Sequence, residues 1–175
     1  MDKTRAGTQR FMGKQIRDVG HTQAEKEIKI RAMHPADYGK VRQLWLSIHR
    51  LGIRSVDDAK EGVVRFLERN PETSVVAERS GEIVGSILCG HDGRTGCFYH
   101  VCVREDLRRQ GIGSRMVRFA VDALTKEQIS KISLFAYTDN ALGNDFWKCL
   151  GFVRREDMYN YEWQLNEANV TNFNQ

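Results

Sequence analysis

Residues 103–117 read VREDLRRQGIGSRMV. A strand-like run ends at Val103. An amphipathic helix begins near Ile112, where Ile112, Met116, Ala120 and Leu124 recur every fourth residue and Val117 and Val121 widen the stripe. Between them stand Arg108 and Arg109, then Gly111 and Gly113. Glycine accepts positive φ and lets the backbone approach a ligand closely. The first turn of a helix carries unpaired N–H groups and a partial positive charge. Together these features make an anion site, for which phosphate is the usual guest. The arginines add charge and Ser114 adds a hydroxyl. The P-loop pattern GxxxxGK[ST] is absent. The dinucleotide pattern GxGxxG fails at its third glycine, where Met116 stands, and Gly111 lies eight residues beyond Val103.

Upstream, the hydrophobic period is that of strands. SVVAER (74–79), EIVGSILCG (82–90) and GCFYHVCV (96–103) are joined by Ser80-Gly81 and by the turn Asp92–Gly96, which predicts an antiparallel meander. EIKIRAM alternates Ile28, Ile30 and Ala32 as a first strand. Pro35 suits a helix start, and Val41, Leu44, Trp45 and Ile48 keep helical spacing. Ser55 is the expected N-cap of a second helix, with Asp57 and Asp58 in its first turn and Val63, Val64 and Leu67 buried. It should stop before Pro71. Downstream, KISLFAY (131–137) reads as a strand, and NALGNDFWKCLGF (140–152) as a short helix that Gly151 ends. FVRREDMYNYEWQL (152–165) reads as a final hairpin. The expected order is β-α-α-β-β-β-α-β-α-β-β, in one domain over residues 28–167. Residues 1–27 are a polar, basic extension, with a helix expected near 22–26, and residues 168–175 a tail.

Composition fits a globular domain. The chain has 175 residues, enough for one core. No apolar run reaches membrane-spanning length, and the N-terminus lacks the apolar stretch of a leader, so a cytoplasmic protein is the expectation. Cys89, Cys97, Cys102 and Cys149 show no CxxC spacing and lie in apolar stretches, which points to buried thiols and to no metal. Asn169-Val170-Thr171 matches a glycosylation acceptor that has meaning only in a secreted chain. The net charge of +4 suits an anionic ligand and falls short of a nucleic-acid signature.

The spacing Arg108-x-x-Gly111-x-Gly113, after YHVCV and before an amphipathic helix, resembles the [RQ]-x-x-G-x-[GA] pyrophosphate loop of the GCN5-related N-acetyltransferases (GNAT). Asn140, Phe146, Trp147 and Gly151-Phe152 resemble that superfamily's second signature, and GHDGRTGCFYHVCV (90–103) resembles a hairpin of its small bacterial members. The resemblance covers about residues 28–165. It implies an α/β (α+β) GNAT fold: a mixed, mostly antiparallel central sheet of about seven strands, flanked by about four helices. It implies acetyl-CoA as co-substrate and an amine acceptor. The backbones of Val101, Cys102 and Val103 would pair with the pantetheine arm, as a strand adds to an open edge. Arg108, Arg109, Gln110, Gly111, Ile112, Gly113 and Ser114 would hold the pyrophosphate, with Arg115 or Arg118 in reach. Asn140 would bind the arm while also capping its helix, and Trp147 joins the cofactor-binding set.

Acetyl transfer needs a neutral amine, a stabilised oxyanion and a protonated leaving thiolate. Making a lysine-like amine of pKa about 10.4 neutral at pH 7 costs roughly 4.6 kcal/mol, so a base or a water chain takes that proton. The Val101 amide is the expected oxyanion donor, worth about 3 kcal/mol. The tyrosine that protonates the thiolate in many members corresponds to Trp147 here, and the glutamate base of some peptide-acetylating members to Phe135. Candidates to replace them are Tyr99, Tyr137 and His100. Strict alternation places Cys97, Tyr99, Val101 and Val103 on one sheet face and His100 and Cys102 on the other. The acceptor would lie against 48–58, where His49, Arg50, Arg54, Asp57 and Asp58 stand. Three readings stay open: an N-acetyltransferase, a CoA-binding module without catalysis, and a nucleic-acid-directed protein using Lys3, Arg5, Arg10, Lys14 and Arg17. A homodimer through the exposed final hairpin is a further expectation, and no membrane partner is.

Overall fold

The structure, a computed structural model, describes residues 27–175. The basic residues at 3–17 and the helix expected near 22–26 lie outside the described residues. Strand β1 (Lys29–Ala32) leads through a short 3-10 turn at Pro35–Asp37 into helix α1 (Tyr38–Ser47). Strand β2 (Gly52–Arg54) and helix α2 (Lys60–Arg69) follow. The meander is β3 (Val75–Arg79), β4 (Glu82–His91) and β5 (Thr95–Val103). Helix α3 (Ile112–Lys126), strand β6 (Lys131–Leu134), helix α4 (Ala141–Cys149) and strand β7 (Thr171–Phe173) complete the described chain.

Five strands form the central sheet in the order β1-β3-β4-β5-β6, antiparallel except for the β5–β6 pair. Local chemistry explains the meander. Ser80 and Gly81 take φ 51° and 78°, so the turn twists with its strands. Asp92 Oδ1 accepts from the Arg94 and Thr95 amides at 2.8 and 2.7 Å, an Asx turn.

The sheet is covered on both faces. On one, the α3 stripe Ile112, Met116, Val117, Ala120 and Leu124 meets Val75, Ala77, Val84, Ile87, Cys89 and Phe98. On the other, Val41, Leu44 and Trp45 of α1 and Val63 and Leu67 of α2 meet Val76, Ile83, Leu88 and Cys102. Trp45 is fully enclosed and donates from Nε1 to Ser86 Oγ at 2.8 Å. Truncating such a residue typically costs about 3–5 kcal/mol.

Four sequence expectations are corrected. Ser55 caps no helix. Residues 52–54 form β2, and α2 begins at Lys60 behind Ala59; Ser55 Oγ instead donates to Ala168 O at 2.5 Å. The central sheet has five strands rather than about seven, and β2 and β7 pair with each other in a separate two-stranded sheet. The final hairpin is not formed: residues 152–170 contain no strand, and β7 lies beyond them, antiparallel to β2. Cys149 is exposed and Cys97 part-buried, so burial holds for Cys89 and Cys102 only.

A charged hub ties the first strand down. Arg31 donates to both Asp37 oxygens at 2.7 and 2.8 Å and to Glu78 at 2.8 and 3.0 Å. The Arg31 hydrogen bonds hold the Asp37 carboxyl below the usual carboxylate range, with help from the His34 amide. A carboxylate more acidic folded than unfolded adds stability above its unfolded pKa, and that stability is lost as pH falls through the folded value. Asp37→Asn should therefore cost about 1–3 kcal/mol at pH 7. It should also flatten the fall in stability between about pH 5 and pH 2. Urea unfolding across that range measures both, and parallel pH profiles for the two proteins would refute the assignment.

Candidate functional site

The quoted loop folds as an amide-lined cradle. Glu105–Leu107 make a 3-10 turn, then Arg109 and Gly111 take φ 63° and 74° before α3 begins. The left-handed residue at 111 is the N-cap, and a Cβ there would sit in open space, so the need for glycine is conformational. Gly113 has the other reason. A Cβ on it would stand 3.2 Å from the Phe146 ring, so α4 packs directly on the first turn of α3. Arg115 N donates back to Gly111 O at 3.1 Å. The six amides before it, Arg109 to Ser114, have no backbone acceptor among the described residues. They are the donors that a helix start leaves unpaired.

The arginines divide. Arg108 is committed to the loop itself, donating to Val103 O and Glu105 Oε1 at 3.2 Å each. Arg115 reaches away to Ile28 O at 2.7 Å. With Arg118 it borders a groove of about 710 Å³ against β1.

Beside the cradle the sheet opens. β5 pairs with β6 from Thr95 to Phe98 and no further, so the β6-side edge of Tyr99–Val103 has no strand partner among the described residues. The pairing stops where β5 bulges. Leu88 faces Tyr99 and Ser86 faces Cys102, so two steps on β4 match three on β5. His100 takes φ 47° at the extra residue. This overturns the alternation expected for β5. Tyr99 meets Phe66 of α2 edge-on at 6.0 Å, and His100 packs on Trp45 of α1 at 4.5 Å, so both face the α1/α2 layer. Val101 and Val103 pack with the α3-side core, opposite Tyr99.

The bulge also makes a buried polar chain. His100 Nε2 lies 2.7 Å from Asp58 Oδ1, with only 13% and 5% of the two side chains exposed. Asp58 Oδ2 accepts the Arg54 amide at 2.6 Å. Ser86 Oγ is 3.4 Å from both His100 O and Cys102 Sγ. Asp58 is thus no solvated first-turn charge. Burial, with its neighbour Cys97, pushes the Tyr99 phenol up to about 12. Burial pushes Cys89 and Cys102 up to about 12 and about 11, and raises Cys97 too, so none of these three is a thiolate at neutral pH.

Across the opening, Asn140 caps α4 by accepting the Gly143 amide at 3.0 Å. Trp147 lies in an aromatic cluster with Phe98, Phe146 and Phe152. Tyr137 is 62% exposed and meets Phe173 of β7 at 5.6 Å, away from the Tyr99 and His100 side chains, which pack on Phe66 and Trp45. Arg50 reaches Asp139 at 2.5 Å and ties the segment after α1 to the approach to α4. The C-terminal segment walls the same side. Asn169 accepts the Val56 and Asp57 amides at 3.1 and 3.2 Å, and Asn174 Nδ2 donates to Trp45 O and Ile48 O at 2.6 and 2.8 Å. Sequence reading missed Ser86 and these asparagines, whose partners lie 14 to 129 residues away, and it placed Asp58 among the acceptor-side charges without its contact to His100.

The sequence profile of the Acetyltransferase (GNAT) family matches residues 40–152. The chain belongs to that family. It is an N-acetyltransferase, with acetyl-CoA as co-substrate. It is 33% identical to an acetyltransferase of Sodalis glossinidius over 113 residues, 65% of this chain and 78% of that one. Its fold is similar to that of the PaiA N-acetyltransferase from Thermoplasma acidophilum in complex with coenzyme A. There the TM-score is 0.65 at 15% identity, covering 83% and 96% of the two chains. It is likewise similar to AAC(6')-Iy in complex with a CoA-linked bisubstrate analogue, at TM-score 0.62 and 16% identity, over 79% and 99%. The cradle fits the co-substrate, because its amides are unpaired and no side chain fills the space above Gly111.

Proposed function

We propose that this acetyltransferase passes the acetyl group directly to a primary amine in a ternary complex, the acceptor being a small molecule, a peptide N-terminus or a lysine. The observation that carries the reading is the run of six unpaired amides from Arg109 to Ser114, opening beside a strand edge that ends at Val103. The amides would hold the co-substrate's pyrophosphate, and the open edge of Val101–Val103 its pantetheine arm. The thioester would then lie near the bulge, where the Val101 amide would donate to the developing oxyanion. Cys102 contributes backbone only, its thiol being buried on the opposite face. Gln110 and Ile112 likewise act through their amides. Asn140 and Trp147 hold the far wall. Tyr99 faces the acceptor beside His100, and Tyr137 guards the rim with Phe173. The wall of 50–58 offers Arg54 and Asp57, which pair with each other at 3.3 Å.

We also read the chain as a homodimer. Tyr159, Tyr161, Trp163 and Leu165 alternate with polar residues, and each is 88–92% exposed. That pattern specifies a half-buried strand, and β6 offers an edge without a strand partner among the described residues. Phe152 anchors one end of the segment in the aromatic cluster, and Asn169 anchors the other on Asp57. An arm held at both ends on its own protomer covers its apolar face on a second copy. Sedimentation at micromolar concentration should give a dimer that Trp163→Lys converts to a monomer; a monomeric wild type would overturn the idea.

Calorimetric titration with acetyl-CoA tests the main reading. Gly111→Ala strains a left-handed residue, and Gly113→Asp drives into Phe146 while placing a carboxylate at the phosphate. Both should weaken binding at least tenfold, with circular dichroism showing the fold retained. Thiol release with a panel of amines is the second measurement. Unaltered binding in both variants would end the cradle assignment. Binding without release from any amine would favour the catalytically silent CoA-binding module that Trp147 suggests.

A further inference from the structure

We propose that His100, oriented by Asp58, is the base that takes the acceptor's proton and returns it to the leaving thiolate. This rests on the transfer reading above and names the group that reading leaves open. Asp58 is 4% exposed as a residue, yet its carboxylate is satisfied. One oxygen takes the Arg54 amide and the other meets His100 Nε2 at 2.7 Å. An ionised carboxylate only accepts, so Nε2 carries the hydrogen and Nδ1 keeps its lone pair. Nδ1 makes no hydrogen bond among the described residues and is not sealed inside the protein. Trp45 packs on the ring at 4.5 Å and fixes its plane.

Position supports the role. His100 is the extra residue of the β5 bulge and directly precedes Val101, whose amide is the oxyanion donor. Without the bulge it would lie on the face away from Tyr99. The bulge holds a non-glycine residue at φ 47°, strain of a kind that collects at functional sites. Asp58, from the segment before α2, and Trp45 of α1 contact the ring, Ser86 Oγ of β4 lies 3.4 Å from the His100 carbonyl, and Tyr99 and Cys102 of its own strand share its sheet face. Among these, burial pushes Tyr99 to about 12 and Cys102 to about 11. Against a thiol of pKa about 8.5, a phenol at about 12 gives up its proton uphill by roughly a thousandfold, so Tyr99 is a poor acid for the thiolate.

The step balances as follows. The neutral amine's lone pair forms the C–N bond to the thioester carbon, and the carbonyl π pair moves to oxygen beneath the Val101 amide. The nitrogen's proton passes to His100 Nδ1. The oxygen pair then reforms the carbonyl, the C–S bond breaks, and the thiolate takes the proton back from the imidazolium. The products are an acetamide, free CoA thiol and neutral His100.

The test is steady-state thiol release by the full chain with an accepted amine, with acetyl-CoA affinity measured beside it. His100→Gln should lower kcat by roughly 10²–10⁴-fold and leave acetyl-CoA affinity within about twofold. Asp58→Asn is expected to fall in the same range, because its amide favours the wrong tautomer. Added imidazole should restore thiol release to His100→Gly, whose residue tolerates the bulge φ. A merely structural histidine would give none of that rescue. Wild-type rates in His100→Gln, or no imidazole rescue of His100→Gly, overturn the dyad and leave the transferase reading intact. A wild type that binds acetyl-CoA yet acetylates no amine overturns both.

Discussion

One extra residue in β5 organises this molecule. Between Tyr99 and Cys102 the strand makes three steps while β4 makes two. The ladder to β6 ends at Phe98, immediately before that mismatch. A regular β5 would continue pairing and close the sheet, leaving no edge for a ligand. The same residue resets the side-chain alternation. Tyr99 and His100 come to one face, and Val101 packs on the other. A single insertion thus accompanies the open edge beyond Phe98 and places the imidazole beside Asp58.

The rest of the fold holds that irregularity in place. A non-glycine residue at φ 47° persists only if its surroundings over-determine it. Trp45 packs on its ring at a tilt, Asp58 binds its Nε2, and Ser86 Oγ lies between Trp45 Nε1 and the His100 carbonyl. Each group is itself fixed from elsewhere: Trp45 by the enclosed α1 core, Asp58 by the Arg54 amide. On the other side Phe146 of α4 seats on Gly113, so the aromatic cluster around Trp147 sets the position of the amide cradle. The two halves of the site are therefore positioned by two different cores, one on each face of the sheet.

How far the sequence disclosed this follows from the range of the interactions. The meander, α3 and the cradle were legible because their signals are local: a primed turn, a four-residue apolar repeat, glycines at a helix mouth. The α4 cap was legible for the same reason, as Asn140 acts on Gly143. The bulge was not, since GCFYHVCV alternates without interruption and the extra residue is visible only against the register of β4. The Asp58–His100 contact spans 42 residues, and Asp58 in isolation matches an N-terminal helix charge. The start of α2 was misplaced because Ser55 followed by two aspartates carries capping chemistry, while pairing with β7 draws residues 52–54 into a strand instead. There tertiary pairing overrode local propensity.

The substitution at 147 is consistent with this arrangement. A tyrosine there would put a hydroxyl at the thiolate, and the indole cannot perform that step. The indole does complete a cluster in which Phe98, Phe146 and Phe152 lie 4.9 to 6.3 Å from it. Aromatic pairs of this kind each contribute about 0.5–1.5 kcal/mol beyond their buried area, and here they stiffen the helix that presses on the cradle. With the proton cycled through one imidazole, the separate acid at 147 becomes dispensable, and the position is released to packing. The missing tyrosine and the buried dyad then describe one design, in which base and acid are the same residue at successive moments of the reaction.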